Sequence, residues 1–267
     1  MQPNHRINCQ QEQSAIRLIT QAMGRFNQLN FTVKDLFHYS KNHQQLRDLM
    51  FGSPNRQANI TQFGQNVLSY ISSRENHLYA DILPLLMDYN TAEQEYLTLS
   101  NSFQHTVYQP TNRQAQHNGP AYLACMVNLQ AELVLGNGFD DNPSLPVSSN
   151  NLPLYIGRRK PDGAYPTLGG VQHFWEVKEF YIAARGSRLT DIKYEVEIDH
   201  LDALEVSGID NLDVAHYLFI DGIDLFNHNH PSTTLREMCD LLNFGLVNQV
   251  FFGREVLTEW PALLQSW

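Results

Sequence analysis

Apolar residues recur at helical spacing through most of the first hundred positions. They are three or four positions apart between residues 15 and 26, and the same period returns in residues 67–86 after a Gly-Ser-Pro-Asn break at 52–55. This period buries one face of a helix, and no alternating strand pattern competes with it. We therefore predict a helical region over residues 1–105. The polar stretch of residues 104–119, which contains a proline, predicts a loop that separates this region from the rest of the chain.

The pattern changes from residue 120 onwards. An apolar segment at 121–135 suits a helix that ends at Gly136. Beyond it, short runs rich in aromatic and β-branched residues predict strands, and segments with a helical period separate them. The predicted strands are near 154–156, 164–165, 173–184, 216–220 and 247–252, and the predicted helices are at 188–204, at 234–244 and from 258. This order predicts an α/β domain over residues 120–267, with a mixed β-sheet core flanked by helices.

Composition indicates a folded chain with an uneven charge. Apolar residues make up 42% and charged residues 17%, which is too apolar for a disordered protein. The net charge of −10 argues at first sight against a nucleic-acid partner. However, residues 1–100 carry 8 basic and 8 acidic side chains, whereas residues 151–267 carry 9 basic and 17 acidic ones. The acidic excess therefore lies in the α/β part, where carboxylates could hold a divalent cation.

Cysteine spacing and hydropathy exclude several classes of protein. Cys9, Cys125 and Cys239 lie far apart in the chain, so neither a disulfide framework nor a cysteine zinc site is expected. No apolar run reaches the roughly 18 residues that a membrane span needs, and the first residues lack the apolar stretch of a signal peptide. We expect a cytoplasmic protein without a membrane partner.

One constellation has the residue types and the spacing of a catalytic site. Asp162 precedes a predicted strand, and Glu176, Val177 and Lys178 lie within the next one. Residues i and i+2 of a strand project from the same face, so Glu176 and Lys178 stand side by side while Val177 points to the other face. Asp162, at the neighbouring junction, can reach the same place. Two carboxylates at this position favour Mg²⁺, and a lysine beside them can orient or deprotonate a water.

A second segment, Asp191-Ile192-Lys193, fits the same spacing from Asp162. Its surroundings have a helical period, and in a helix residues i and i+2 point about 200° apart. Asp191 and Lys193 therefore cannot share a site in the way that two alternate strand residues can.

Structural interpretations of the first constellation remain open. Asp162 before Gly163 is a common turn residue, and Glu176 with Lys178 could be a solvated pair on an edge strand. The adjacent Phe174 and Trp175 favour a covered, central strand, in which charged residues are costly unless they have a function.

The pattern Pro161-Asp162 followed by Glu176-Val177-Lys178 resembles the PD-(D/E)XK nuclease superfamily, the fold of most type II restriction endonucleases. The resemblance spans roughly residues 120–255 and leaves the first hundred unexplained. It implies a restriction-endonuclease-like core in which Asp162, Glu176 and Lys178 are catalytic. It further implies that Asp162, Glu176 and Val177 contact Mg²⁺ and that Lys178 serves the attacking water.

Other residues have weaker assignments. The superfamily often takes a further acidic ligand from the preceding helix, for which Glu132 is the candidate, although a solvated helix glutamate is the common alternative. Three polar residues just beyond the motif strand are candidates for phosphate contacts with DNA or for a solvated loop: Arg185, Ser187 and Arg188. Glu179 and Glu195 are expected to be surface charges.

These expectations combine into one functional hypothesis, a Mg²⁺-dependent type II restriction endonuclease that cuts double-stranded DNA at a short specific sequence. Such enzymes usually act as homodimers, and the helical region could supply dimer contacts, base recognition or both. One alternative is a catalytically silent DNA- or protein-binding module on the same fold, which a Lys178 turned away from the two carboxylates would favour. A repair nuclease or an RNA-cutting toxin is the other alternative.

Overall fold

The structure is a computed structural model of the whole chain. It describes residues 7–24, 30–52, 59–103, 108–110, 120–145, 147–149, 152–166, 171–181, 187–210, 213–222, 225 and 232–267. Its helices are α1 (Gln10–Met23), α2 (Val33–Tyr39), α3 (Gln44–Phe51), α4 (Gln62–His77), α5 (Tyr89–Ser100), α6 (Tyr122–Leu135), α7 (Ser187–Asp210), α8 (Thr233–Asn243) and α9 (Glu255–Leu264). Its strands are β1 (Val147–Ser149), β2 (Leu152–Tyr155), β3 (Gly163–Tyr165), β4 (His173–Glu179), β5 (Ala215–Asp221) and β6 (Gln249–Phe252).

The chain forms two compact units. The helical unit consists of Pro3–Pro84 and Leu225–Gly245, and the sheet unit contains Leu85–Asp224 and Leu246–Trp267. This division differs from the predicted one, 1–105 and 120–267, in two respects. Residues 85–105, with α5, belong to the sheet unit, and α8 belongs to the helical unit although it lies between β5 and β6 in the sequence.

The helical unit is built on the apolar period seen in the sequence. Ile16 and Ile19 of α1 and Val67 and Ile71 of α4 are fully buried in one core with residues of α2 and α3. Within the same unit, α8 packs against α1 and α4. The unit therefore takes an element from the far end of the chain to complete its core.

A buried charge cluster lies inside the helical unit. Arg74 Nη1 donates to Asp240 at 2.9 Å, and Arg236 Nε donates to Glu75 Oε1 at 2.9 Å. Arg74 Nη2 also donates to Glu75 at 2.9 Å, so two arginines and two carboxylates form one continuous network. Tyr70 O–H donates to Asp240 at 2.6 Å.

The sheet unit is organised around a four-stranded mixed sheet with strand order β3-β4-β5-β6. The β3–β4 pair is antiparallel, and the β4–β5 and β5–β6 pairs are parallel. Helix α7 connects β4 to the parallel β5, as a parallel crossover requires. β1 and β2 form a separate antiparallel pair. The predicted α/β architecture, a mixed sheet flanked by helices, is confirmed at this level.

The two faces of the sheet are covered by different helices. Trp175, Tyr217 and Phe251 belong to a core that includes residues of α6 and α9, and the Trp175 ring lies 5.2 Å from that of Trp260 in α9. Phe174 points to the opposite face and packs with Ala203 of α7. Because β4 lies between β3 and β5 and Trp175 is fully buried, the prediction of a covered, central strand is confirmed.

Close packing fixes β3 against β4. Gly163 pairs with Trp175, and a Cβ atom at Gly163 would lie 2.1 Å from Cε2 of the Trp175 ring. Any larger residue would have to displace the indole, so glycine is required at this position. Gly163, the residue directly after Asp162, therefore lies in close contact with β4.

No helix in the described ranges is long and apolar enough to cross a membrane.

Candidate functional site

Asp162 is held beside β4 by its backbone and by its side chain. Its N–H donates to the Trp175 carbonyl at 3.0 Å, and its Oδ2 accepts a hydrogen bond of 2.7 Å from the N–H of Val177. These two bonds extend the β3–β4 pairing by one step beyond Gly163. Asp162 is an exposed residue, so its carboxylate is accessible to a ligand.

Glu176 and Lys178 project from the same face of β4, as the strand period predicts. Lys178 Nζ lies 2.8 Å from Glu176 Oε2. Glu176 is only 2% exposed. Its Oε1 is buried and has no hydrogen-bond partner among the described residues. A buried carboxylate oxygen without a donor is costly, and such an atom calls for a binding partner.

The electrostatics of this face follow from burial and from the neighbouring charges. Burial raises the pKa of Glu176 to about 8, Lys178 opposes that shift, and Asp162 and Asp199 add to it. Burial alone would lower the pKa of Lys178, but Glu176 and Asp162 outweigh it and the pKa is raised. Asp162 therefore contributes to raising the pKa of both Glu176 and Lys178.

Helix α7 and the segment before β3 add three charged residues. Glu195 Oε2 lies 2.8 Å from Lys178 Nζ, and Arg159 Nη2 lies 3.3 Å from the same Glu195 oxygen. Arg159 also lies 3.4 Å from Asp199 and 3.8 Å from Glu176. We call the six residues Arg159, Asp162, Glu176, Lys178, Glu195 and Asp199 the site cluster.

Two sequence expectations are corrected here. Glu195 is not merely a surface charge, because it pairs with Lys178 and Arg159. Glu179 is not one either, because its Oε2 accepts a hydrogen bond of 2.8 Å from the N–H of Leu123 in the first turn of α6. Both contacts join residues that are distant in sequence, which a reading of local patterns misses.

The competing segment Asp191-Ile192-Lys193 lies in α7, as its period predicts. Ile192 is buried while Asp191 is exposed, so the segment has the one-sided burial of an amphipathic helix. It does not form a second acid-and-lysine pair of the β4 type.

Glu132 lies on α6, the helix that packs on the Trp175 face of the sheet, whereas Glu176 and Lys178 project from the α7 face. Burial raises the pKa of Tyr108 and Glu132 adds to that shift, and the buried Oε2 of Glu132 has no hydrogen-bond partner in the part of the chain that is described. The structure therefore does not bring Glu132 into the site cluster. Arg185 lies outside the described residues, and so do the side chains of Ser187 and Arg188 at the start of α7.

The donor set of the site cluster fits a divalent cation. Four carboxylates face two cationic side chains, and this excess of negative charge is matched by one divalent ion. The unpartnered Glu176 Oε1 supplies an oxygen ligand, and the exposed Asp162 supplies another. No group of three or more His, Cys, Asp or Glu side chains in the described ranges is arranged to hold a metal ion. The two carboxylates of Asp162 and Glu176 are nevertheless compatible with Mg²⁺, which is bound by one or two carboxylates and keeps several waters.

Comparison with known proteins gives one match. A family described as "Domain of unknown function (DUF7687)" matches residues 87–267. The chain belongs to this family. No curated protein and no solved structure matches it significantly.

The DUF7687 region coincides with the sheet unit at its amino-terminal end, since that unit resumes at Leu85. It contains the whole site cluster, from Arg159 to Asp199, and it also contains α8. Helices α1 to α4 lie outside it.

Proposed function

We propose that this protein is a Mg²⁺-dependent nuclease that hydrolyses phosphodiester bonds of double-stranded DNA. The observation that carries the proposal is the convergence of Asp162, Glu176 and Lys178 at the β3–β4 junction, with the buried Glu176 Oε1 lacking a partner. A solvated edge-strand pair would not have a carboxylate that is 2% exposed. Lys178 Nζ lies 2.8 Å from Glu176 Oε2 and is therefore not turned away from this carboxylate, which argues against the catalytically silent module.

The topology supports a restriction-endonuclease-like core of the PD-(D/E)XK type. The segment before β3 carries the aspartate, β4 carries the glutamate and the lysine, and α7 then leads to a parallel β5. This is the order that the resemblance implies for residues 120–255. Residues 1–84 lie outside the family match and are the part of the chain available for dimer formation or base recognition.

The chemistry of the residues fits hydrolysis at phosphorus. Mg²⁺, when bound, supplies positive charge opposite the phosphate oxygens. Glu176 and Asp162 would hold the ion, the first through its buried Oε1 and the second through its exposed carboxylate. The Lys178 ammonium has three N–H donors, of which two are used by Glu176 and Glu195. The third can donate to the attacking water or to a phosphate oxygen, orienting the first or stabilising charge on the second.

The substrate class and the biological role follow from the resemblance. Type II restriction endonucleases work without an ATPase part and usually as homodimers. By this resemblance, the proposed enzyme cuts a short, specific duplex sequence. Discrete fragments from a large DNA substrate would support that role, whereas unspecific degradation or RNA cleavage would favour the repair or toxin alternatives.

The test is digestion of supercoiled plasmid with Mg²⁺ and with EDTA. We expect nicked and linear products only with Mg²⁺, and loss of cleavage in Asp162→Ala and Glu176→Ala while DNA binding in a gel-shift assay is kept. Asp191→Ala, which removes an exposed carboxylate of α7, is the matched control and is expected to cut normally. Cleavage at the wild-type rate by either site variant, or DNA binding without cleavage by the wild type, would contradict the proposal.

A further inference from the structure

The amine of Lys178 is shared between two carboxylates from different elements. Its Nζ lies 2.8 Å from Oε2 of Glu176 on the same strand and 2.8 Å from Oε2 of Glu195 on α7. Two hydrogen bonds from opposite sides define the position of a flexible side chain far better than one does. The exposed fraction of the Lys178 side chain is 16%, so water competes little for these donors.

Glu195 is itself held in place. Arg159 Nη2 lies 3.3 Å from Glu195 Oε2, and its Nη1 lies 3.4 Å from Asp199 Oδ2, one helical turn further along α7. Arg159 thus bridges two successive acidic residues on one face of the helix. The Glu195 carboxylate is oriented towards Lys178 before any ligand arrives.

We propose that Glu195 is a positioning residue that holds the Lys178 amine between β4 and α7 and so prevents it from closing on Glu176 alone. The inference rests on the proposed function, because it assigns Glu195 a role in the same site. Glu195 acts through Lys178 and has no assigned contact with the metal or with DNA.

The physical consequence concerns the metal ligand as well as the amine. Without Glu195, both available N–H donors of Lys178 can turn to Glu176, whose carboxylate must also bind the cation. An ammonium that pairs more fully with Glu176 competes with Mg²⁺ for that carboxylate. The loss of Glu195 also lets the Lys178 amine leave the position from which it can donate to the attacking water. Small misplacements of this kind cost up to about 10²-fold in rate.

The first experiment separates kcat from KM. Glu195→Ala is expected to lower kcat by about 10-fold to 100-fold while KM for DNA stays within about threefold. Glu195→Gln keeps an oxygen that can accept from the amine, so it should retain more activity than Glu195→Ala. Asp191→Ala, which removes an exposed carboxylate one turn earlier, should leave both constants unchanged. In a Lys178→Met background, Glu195→Ala should have almost no further effect on kcat, and an undiminished further loss would overturn the inference.

The second experiment does not depend on cleavage. Mn²⁺ binding is measured by calorimetry for the wild type, Glu195→Ala, Lys178→Met and the double variant. Removing the Glu195 charge should weaken binding in every case, but the loss should be several-fold larger when Lys178 is present. Equal losses in both backgrounds would mean that Glu195 acts only through its charge, which overturns this inference and leaves the proposed nuclease intact. Absence of Mn²⁺ binding by the wild type would overturn both.

Discussion

The two units of the protein each contain buried charges, and the two groups are built differently. In the buried charge cluster of the helical unit, Arg74 and Arg236 face Glu75 and Asp240, so the charges balance. Both oxygens of Glu75 and both oxygens of Asp240 accept hydrogen bonds. In the site cluster of the sheet unit, carboxylates outnumber cations four to two, and one Glu176 oxygen has no partner among the described residues.

This difference distinguishes a structural network from the candidate binding site. A balanced and fully hydrogen-bonded network offers nothing to an external ion and stabilises one arrangement of the helices. An unbalanced group with an unpartnered oxygen is less stable until a cation joins it. The burial of charge is common to both groups, so burial alone would not have identified the site.

The largest expected effect is on the balanced cluster. Arg236→Met leaves Glu75, which is fully buried, with Arg74 as its remaining cationic partner. Breaking a buried ion pair in this way typically costs about 3–5 kcal/mol of the free energy of unfolding. Urea unfolding followed by circular dichroism measures the loss.

Arg254→Met is the control for that measurement. Arg254 pairs with Glu95 at 3.5 Å, but its side chain is 48% exposed. Removing an exposed pair should change the free energy of unfolding by less than about 1 kcal/mol. If Arg236→Met costs no more than Arg254→Met, the buried charge cluster does not have the structural role assigned to it.

The next effect concerns activity, in the unbalanced cluster. Lys178→Met keeps most of the volume of the side chain and removes the amine, so we expect cleavage to fall by about 10²-fold or more. DNA affinity should hardly change. Lys193→Met, in the helical segment Asp191-Ile192-Lys193, should stay within a few-fold of wild type. Equal losses from both substitutions would point to a general electrostatic effect, and loss from neither would leave only a binding module.

The effect that is smallest per pH unit is a pH dependence of stability to which Glu176 of the site cluster contributes. The pKa of Glu176 is raised by burial from 4.5 to about 8, so between these values the folded protein keeps a proton that the unfolded chain has released. Stability of the metal-free protein should therefore fall as the pH rises through this window, by at most about 1.4 kcal/mol per pH unit from this group. Glu176→Gln should flatten the dependence.

Added Mg²⁺ should have the opposite trend. Because the ion binds the ionised carboxylate, the increase in melting temperature that it causes should grow from pH 6 to pH 8. Thermal unfolding at several pH values, with and without Mg²⁺, measures both trends. A stabilisation by Mg²⁺ that is independent of pH would indicate binding away from Glu176.

Local patterns predicted the elements that carry the site. The apolar segment of residues 121–135 predicted α6, and the aromatic and β-branched residues from position 173 predicted β4, although the strand ends at Glu179 and not at 184. The assignment of Glu176 and Lys178 to one face needed only the strand period. The catalytic role of these residues remains a prediction.

Contacts between distant segments were beyond the reach of those patterns. The helical period of α7 could have indicated Glu195 and Asp199, because both lie beside the buried Ile192 and Val196. Carboxylates at such positions need cationic partners. No local sequence pattern could identify Arg159 as the partner of these two carboxylates. The apolar face of α8 likewise predicts burial but does not reveal which unit covers it.

The position of α8 limits how the protein can be divided or recombined. Its buried residues include Leu235, Met238 and Leu242, and it packs against α1 and α4, which the DUF7687 match does not include. A fragment that begins at residue 85 would carry this apolar helix without its cover and should aggregate. A gene fusion that replaced residues 3–84 would succeed only if the incoming domain offered a groove for α8. The helical unit therefore cannot be removed without exposing the apolar face of α8, although the family boundary falls between α4 and α5.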